Sequence, residues 1–341
     1  MDTQERGEER LWIGNIAEGD RVQGAYLAKD KRVGTTRNGK PFLNILLGDR
    51  TGEVEGKVWN RAREFAPIFQ RGDVVEVEGE AESYRGQIQV NISRLGAFEG
   101  EPEPEWFLDS ARRDSSEMMT SLLELLRDVK AAALAALIEA FLADRGFVSL
   151  FKRFPAAKNF HHAYLGGLLE HTLSVCRIAG QATAHYPELD RDLLLTGAFL
   201  HDIGKVRELR CDFQIDYTDE GRLLGHLVLG TQMVDEKIRT IKRFPEDLGI
   251  RLKHLILSHH GHFEFGSPKR PKFLEAFALH MIDDLDAKIR GLQQFMERDR
   301  QEGSWTDFNR LFERFLLKGE ILPVGRVSED PAEVERQGKL F

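Results

Sequence analysis

The feature that most constrains the fold of this 341-residue chain is a change in the period of its apolar residues near position 100. Before that point, apolar and polar residues alternate in short runs, which is typical of half-buried β-strands. After it, apolar residues recur every three or four positions, which is typical of amphipathic α-helices. The sequence therefore predicts a β domain followed by an all-α domain, and the chain is long enough for both to bury a core.

Five strand-like segments lie in the first hundred residues, separated by turn signals such as Arg37-Asn38-Gly39-Lys40-Pro41. They cover residues 22–27, 42–47, 54–59, 73–80 and 87–92, and a short helix is expected at 61–69. Five strands with a helix between the third and the fourth is the order of elements in an OB-fold β-barrel. The run from Arg21 to Trp59 also resembles the OB-folds of nucleic-acid-binding proteins of the anticodon-binding and helicase-associated type.

OB-folds bind single strands by stacking bases on exposed aromatic rings beside basic loops. The nucleic-acid-binding candidates in the barrel are four aromatic residues and two basic residues: Tyr26, Phe42, Trp59, Tyr84, Arg37 and Lys40. For each aromatic residue the alternative is packing in the barrel core, and for the basic run it is a solvated loop.

The rest of the chain divides by composition and period. We expect the OB-fold at residues 1–98, an acidic Pro-containing linker at 99–114, a helical domain at 115–322 and a polar tail at 323–341. Helices are expected at 115–144, 163–184, 190–202, 223–242, 249–259, 271–298 and 305–317.

Composition narrows the class of protein further. No apolar run approaches the roughly 18 residues of a membrane span, and the charged N-terminus lacks the apolar core of a secretory signal. Two cysteines, Cys176 and Cys211, are too few for a disulfide framework or a Cys-x-x-Cys zinc site, so we expect a cytoplasmic protein. The net charge of −8 argues against an indiscriminate nucleic-acid coat but leaves local basic patches open.

Histidine and aspartate residues follow one another in a regular order on successive expected helices. They are His171, the adjacent His201 and Asp202, His226, the adjacent His259 and His260, and finally Asp283 and Asp286. A single histidine is usually a structural or surface residue, but an ordered series on consecutive helices is typical of a metal site inside a bundle. Imidazole and carboxylate without thiolate favour Mn, Fe, Co, Ni or Zn.

This order resembles the HD superfamily of phosphohydrolases over about residues 155–290. The resemblance implies one metal ion held by His171, His201, Asp202 and Asp283. It also implies a second ion at three further histidines, with Asp202 as the bridging ligand: His226, His259 and His260. Asp283 directly follows an apolar helix run, as the last ligand of the superfamily usually does, and Asp286 remains a rival.

The expected chemistry is phosphodiester hydrolysis. A bound metal lowers the pKa of its water and neutralises the phosphoryl oxygens under attack. Asp202 and Lys205 are the catalytic candidates, and Lys205, one helical turn beyond His201, could offset charge on the phosphate, unless it is simply a solvent-exposed lysine. Lys269 and Arg270, on a loop past the paired histidines, are weaker nucleic-acid-binding candidates.

Four strings resemble the YhaM-type 3′-5′ exoribonucleases: NFHHAYLGGLLEHTLSV, LHDIGKV, LILSHHGHFEFGSPKRP and LHMIDDLDAK. With the barrel, the resemblance spans nearly the whole chain. It implies removal of nucleotides from the 3′ end of single-stranded RNA, and of single-stranded DNA as a further substrate. It also implies Mn²⁺ as the metal, one or two ions, with Fe, Co or Ni as other choices.

An HD phosphohydrolase acting on a small nucleotide or cyclic nucleotide, with the barrel as a regulatory module, is the alternative function. Residues 261–265, Gly-His-Phe-Glu-Phe, replace the Gly-Tyr-Pro of cyclic-di-GMP hydrolases, which disfavours that substrate. A binding protein without activity would need a broken metal site, but every expected ligand is present.

The expected partners are single-stranded RNA or DNA, with no membrane, and a homo-oligomer is left open. The chain ends in Gln337-Gly338-Lys339-Leu340-Phe341, which resembles the Gln-x-x-Leu-Phe peptide by which bacterial replication and repair proteins bind the sliding clamp. Packing of the Leu-Phe end on its own domain is the alternative.

Overall fold

The computed structural model describes residues 10–36, 38–158 and 160–319 of the chain. The chain forms two compact units, Met1–Asp286 and Ala287–Phe341. Within the described residues, no helix is both long enough and apolar enough to cross a membrane. Arg37 and the C-terminal peptide at 337–341 lie outside the described residues.

Five strands close into a barrel in the order β1-β2-β3-β5-β4. The elements are β1 (Arg21–Thr35), β2 (Pro41–Asp49), β3 (Gly52–Val58), α1 (Ala62–Phe65), β4 (Val74–Tyr84) and β5 (Gln87–Ala97). Neighbouring strands are antiparallel except β3 and β5, which pair in parallel and close the barrel. The predicted OB-fold order is confirmed.

Strand β1 continues to Thr35, well beyond the predicted end at residue 27. Its first half pairs with β4 and its second half with β2, and a register shift between Ala28 and Asp30 separates the two. An irregularity of this kind increases the local bend of a strand, so one strand can serve both sides of a small barrel.

Nine helices and a two-stranded ribbon follow the barrel within the described residues. They are α2 (Ser115–Leu126), α3 (Ala132–Leu142), α4 (Arg145–Arg153), α5 (Gly167–His185), α6 (Arg191–Leu200), α7 (Lys205–Glu208), β6 (Leu209–Cys211), β7 (Ile215–Tyr217), α8 (Asp219–Ile238), α9 (Glu246–Ser258) and α10 (Leu274–Arg298). The apolar faces of these helices form one core, in which Leu168, Leu195 and Phe199 are fully buried. The predicted all-α second domain is confirmed as a helical domain.

Helices α4 and α7 were not predicted, and two of the predicted helices differ from the structure. The stretch at 115–144 is two helices, because the backbone N–H groups of Lys130 and Ala131 both donate to Asp192 Oδ2 at 2.7 Å and begin a new helix there. The helix predicted at 305–317 is wrong. Isolated antiparallel bridges join Trp305 to Leu317 and Asn309 to Arg314, and the chain turns between Asn309 and Arg314, where Asn309 Oδ1 accepts from the N–H groups of Leu311 and Phe312.

The segment between the barrel and α2 packs against the barrel and against the helical domain. Phe107 is buried in a small apolar cluster with Leu27 and Val74 of the barrel. Its ring lies 5.3 Å from that of Phe213, in the ribbon turn of the helical domain. Further along, Ala111 N–H donates to the carbonyl of Leu165 at 2.8 Å, directly before α5.

Candidate metal centre

Five helices bring the predicted histidine and aspartate ligands to one place. His171 lies in the second turn of α5, and His201 and Asp202 directly follow the last residue of α6. The remaining residues come from α8, the end of α9 and the middle of α10: His226, His259, His260 and Asp283. All of these helices are amphipathic and pack in one core, so side chains far apart in sequence meet in the bundle interior.

A close backbone approach allows α8 to reach the site. A Cβ atom on Gly204 would lie 2.1 Å from the carbonyl oxygen of His226, so no other residue fits there without a shift of the backbone. Helix α8 is interrupted at Gly225 by a non-helical backbone conformation. The N–H of His226 therefore has no helical acceptor and instead donates to Glu208 Oε1 at 3.0 Å.

The first group of ligand atoms surrounds His171 Nε2. This atom lies 3.1 Å from His201 Nε2, 3.1 Å from Asp283 Oδ1 and 3.5 Å from Asp202 Oδ2. His201 Nε2 lies 3.4 Å from Asp202 Oδ2 and 3.8 Å from Asp283 Oδ1. Neighbouring ligands at about 2.1 Å from one ion are roughly 3.0–3.4 Å apart in octahedral or tetrahedral geometry. Three of these separations lie in that range, and the other two, at 3.5 and 3.8 Å, exceed it by less than half an ångström, so the four atoms are close to the arrangement around one divalent ion.

The second group lies on the other side of the same aspartate. His226 Nε2 is 3.3 Å from His260 Nε2 and 3.6 Å from Asp202 Oδ1, and His259 Nε2 is 3.7 Å from that oxygen. Asp202 Oδ1 is buried and has no hydrogen-bond partner. Because an unpaired buried carboxylate oxygen is costly, this atom fits a second cation that Asp202 would share with the first group.

All five histidines present the same ring nitrogen to the centre. Their Nδ1 atoms donate to protein oxygens, as follows: His171 to Asp286 at 2.8 Å, His201 to the Ala198 carbonyl at 2.8 Å, His226 to Glu208 at 3.0 Å, His259 to the Ile256 carbonyl at 2.8 Å and His260 to the Phe265 carbonyl at 2.9 Å. Each bond fixes the tautomer in which Nε2 carries the lone pair. The set is thus oriented as imidazole metal ligands are.

Asp286 lies behind His171 and not in the cluster. Its Oδ2 accepts from His171 Nδ1 and lies 3.2 Å from His162 Nε2, and its Oδ1 accepts from the Ser174 hydroxyl. The geometry therefore brings Asp283 to the Nε2 side of His171 and leaves its rival as an orienting carboxylate. Sequence reasoning considered Asp286 only as a rival metal ligand, and it missed Glu208, which lies outside the ordered His and Asp series.

The electrostatics of the site match a place for cations. Burial acts to raise the pKa of Asp202, but the opposite charges of Lys205 and His201 hold it well below its ordinary value. Burial acts to lower the pKa of His171, but hydrogen bonds to Asp283 and Asp286 raise it to about 9, so an ion at Nε2 would take the place of a proton there. Burial lowers the pKa of His259 well below its ordinary value. The carboxylates thus stay ionised and attract positive charge.

The other predicted phosphate-binding residues are placed differently from one another. Lys205 is buried, and its Nζ lies 2.5 Å from Asp202 Oδ2, so the alternative of a solvent-exposed lysine is wrong. Lys269 and Arg270 are exposed, and the guanidinium of Arg270 lies 5.0 Å from the ring centroid of Phe263.

In the barrel, Tyr26 is wrongly predicted as a stacking residue. Its ring is fully buried in the barrel core, and its hydroxyl donates to the Leu11 carbonyl at 2.7 Å, so no base can reach it. Phe42 and Trp59 form a pair with ring centroids 5.3 Å apart, and Trp59 is 42% exposed. Tyr84 is also exposed, at the end of β4.

Charge separates the two sides of the barrel. Strand β4 carries Glu76, Glu78, Glu80 and Glu82 at alternate positions, all outside the core. The Phe42 and Trp59 pair instead lies beside Lys57, whose Nζ is 5.9 Å from the Phe42 centroid, and Lys40 is exposed in the preceding turn. The glutamates of β4 repel a polyanion, whereas beside the aromatic pair Lys57 is in an ion pair with Glu55 at 2.8 Å and Lys40 is exposed.

Known protein families match both the helical domain and the barrel. The model of the HD domain family matches residues 168–288, and that of an OB-fold nucleic acid binding domain matches residues 26–96. A third model, whose description names a helicase, matches residues 101–186. The 3′-5′ exoribonuclease YhaM of Oceanobacillus iheyensis is 35% identical over 86% of this chain and 92% of its own length. The chain belongs to the YhaM 3′-5′ exoribonuclease family.

Other YhaM-family proteins match equally well. YhaM of Bacillus subtilis strain 168 is 35% identical over 85% of this chain and 91% of its own length. The second OB-fold domain of replication protein A from Methanococcus maripaludis, a solved structure, covers 27% of this chain and 98% of that domain, at 19% identity and a TM-score of 0.23. The HD domain implies use of a divalent metal ion, and the His and Asp groups above could hold one.

Proposed function

We propose that this YhaM-family chain is a metal-dependent 3′-5′ exonuclease that hydrolyses single-stranded RNA, and single-stranded DNA as a second substrate. One observation carries the proposal most. Five imidazole rings direct their Nε2 atoms to one place, and each has its Nδ1 bonded to a protein oxygen. The Nε2 atoms lie on both sides of the Asp202 carboxylate, and Asp283 adds a second carboxylate on one side. Such an arrangement suits hydrolysis of phosphodiesters between two ions.

We assign the ligands as two sets that share one aspartate. The first set is His171, His201, Asp202 and Asp283, and the second is His226, His259, His260 and Asp202. We propose Mn²⁺ at both positions, because nitrogen and carboxylate donors without thiolate suit it, with Fe, Co or Ni as other ions such a set accepts. The free, buried Cys176 and Cys211 fit a reducing compartment, and we place the protein in the cytoplasm.

The residues of the chain then divide the work. When bound, the ions supply an acidified water and neutralise charge on the phosphate. Asp202 holds both ligand sets at a fixed separation because its carboxylate is buried between them. Lys205, already 2.5 Å from Asp202, adds a fixed positive charge beside the scissile phosphate. Asp286 and Glu208 keep His171 and His226 in the required tautomer.

The barrel captures the strand in this proposal. Phe42 and Trp59 offer ring faces on which bases stack without regard to sequence, and Lys40 and Arg37 contact the backbone phosphates. The row of glutamates on β4 excludes the strand from the opposite side. Tyr84 provides a further stacking surface, and Lys269 and Arg270 contact phosphates close to the paired histidines.

The test is a time course with single-stranded RNA and DNA labelled at the 3′ or the 5′ end, with Mn²⁺ or with chelator. We expect labelled mononucleotide to appear at once from the 3′-labelled strand, only with metal, while 5′-labelled product shortens gradually. No cleavage of either polymer, with turnover of a small nucleotide instead, would contradict the proposal and favour the barrel as a regulatory module.

A further inference from the structure

His161 is a half-buried residue beside the first ligand set, and the ligand assignment gives it no role. Its ring centroid lies 5.6 Å from that of His171. It belongs to the segment between α4 and α5, directly before His162. It is not among the groups of ligand atoms close enough to hold an ion. His161 therefore lines the centre without joining it.

The Nδ1 atom of His161 is buried and has no hydrogen-bond partner. A buried polar atom without a partner costs about 1–3 kcal/mol, and such atoms in native proteins are rare. Another orphaned atom, Asp202 Oδ1, lies between the two groups of ligand atoms, in the place assigned to an ion. By the same reasoning, His161 Nδ1 indicates a polar group that arrives with a ligand.

The segment that carries His161 is fixed in place. The backbone of His162 has a φ of +53°, a conformation that is rare outside glycine and concentrated at functional sites. His162 Nδ1 lies 2.8 Å from the Tyr164 hydroxyl, which donates to Glu170 Oε2 at 2.8 Å. A Cβ on Gly167 would lie 2.1 Å from the His162 carbonyl oxygen, so only glycine lets α5 begin here. This anchoring holds the neighbouring His161 beside His171.

Lys205 and the ions of the proposed centre already serve the phosphate, so we expect another polar partner for His161 Nδ1. A hydroxyl both donates and accepts, so it pairs with Nδ1 in either tautomer. The terminal nucleotide of RNA brings two ribose hydroxyls to a site that removes it.

We propose that His161 is a substrate-contacting residue whose Nδ1 forms a hydrogen bond with a hydroxyl of the 3′-terminal ribose. This inference rests on the proposed exoribonuclease function. It adds a residue that recognises the sugar of the nucleotide being removed, at a position distinct from the metal ligands and from the barrel.

The test compares wild type and His161→Ala on three RNA substrates with a terminal ribose, 2′-deoxyribose or 3′-deoxyribose. For removal of the terminal nucleotide, we expect kcat/KM of the variant to fall about tenfold on the ribose substrate, the loss of one neutral hydrogen bond. On the substrate that lacks the bonded hydroxyl, wild type is about tenfold slower and the variant shows no further loss, because both changes remove the same bond. An equal loss on all three substrates, or none, would overturn the inference.

Two further variants and two measurements without turnover separate recognition from a structural role. His161→Asn places a polar atom near the position of Nδ1 and should restore most of the activity, whereas His161→Gln places it near Nε2 and should not. The melting temperature and Mn²⁺ affinity of His161→Ala should match wild type, because an unpaired atom is removed and no ligand is lost. A large drop in either would overturn the inference. Failure of wild type to degrade any of the three RNAs would instead refute the proposed function, and this inference with it.

Discussion

Replacing Asp283 and Asp286 separately by alanine tests the assignment of ligand and orienting carboxylate. The two residues lie one turn apart on α10 but on opposite sides of the His171 ring. Asp286→Ala leaves two fully buried partners unpaired, His162 Nε2 and His171 Nδ1. At about 1–3 kcal/mol for each, the free energy of unfolding should fall by about 2–6 kcal/mol.

The same variants should differ in metal binding. Loss of an orienting carboxylate typically costs about 10–100-fold in metal affinity, so Asp286→Ala should still bind Mn²⁺ at the first position, but more weakly. Asp283→Ala removes a ligand atom while the bond from His171 to Asp286 stays, so Mn²⁺ at that position should be lost with a smaller change in stability. Calorimetric Mn²⁺ titration and thermal melting measure both effects, with the exposed Asp247→Ala as a control. Retention of the ion in Asp283→Ala and its loss in Asp286→Ala would refute the reasoning.

Four further results are expected. Asp202→Ala should abolish hydrolysis yet leave RNA binding by the barrel largely intact; normal turnover in this variant would contradict the site. Trp59→Ala should weaken binding of single-stranded RNA by about 1–3 kcal/mol in an anisotropy titration. Tyr26→Phe should leave that binding unchanged and should lower the free energy of unfolding by about 1 kcal/mol through the lost hydrogen bond. Equal effects of the two variants on binding would count against the aromatic pair. Glu208→Gln should lower the affinity of the second Mn²⁺ by about 10–100-fold with the first unchanged, and an equal loss of both would oppose two separate sets. Deletion of residues 337–341 should remove retention on the bacterial sliding clamp in a pull-down, and an intact chain that is not retained would end that proposal.

The order of strands and helices could be predicted from the sequence because burial of one face of an element imposes a period on its apolar residues. That period differs between the strands of the barrel and the helices of the bundle. Period alone does not say which face points inward at the ends of a strand. Tyr26 was therefore open between stacking and core, and only its position in the closed barrel decides for the core. The apolar spacing at 305–317 matched a helix but serves a turn, since Asn309 Oδ1 accepts from the N–H groups of Leu311 and Phe312.

The order of ligands along the chain was readable because each lies on a different helix of one bundle. The choice between Asp283 and Asp286 was not, because residues three apart share a helix face and only the orientation of His171 separates them. His161 and Glu208 gave no periodic signal, since one lies in a connecting segment and the other in the four-residue helix α7. Their roles depend on tertiary contacts of His162 and His226, which no local pattern encodes.

The most direct test of the central claim is anomalous diffraction from crystals of the protein grown with Mn²⁺. We predict two peaks. The first should lie about 2.0–2.3 Å from His171 Nε2, His201 Nε2 and Asp283, and the second at the same distance from the Nε2 atoms of His226, His259 and His260. Each ion should also bind one oxygen of Asp202. No peak at this centre, or an ion bound through Asp286 in place of Asp283, would contradict the account.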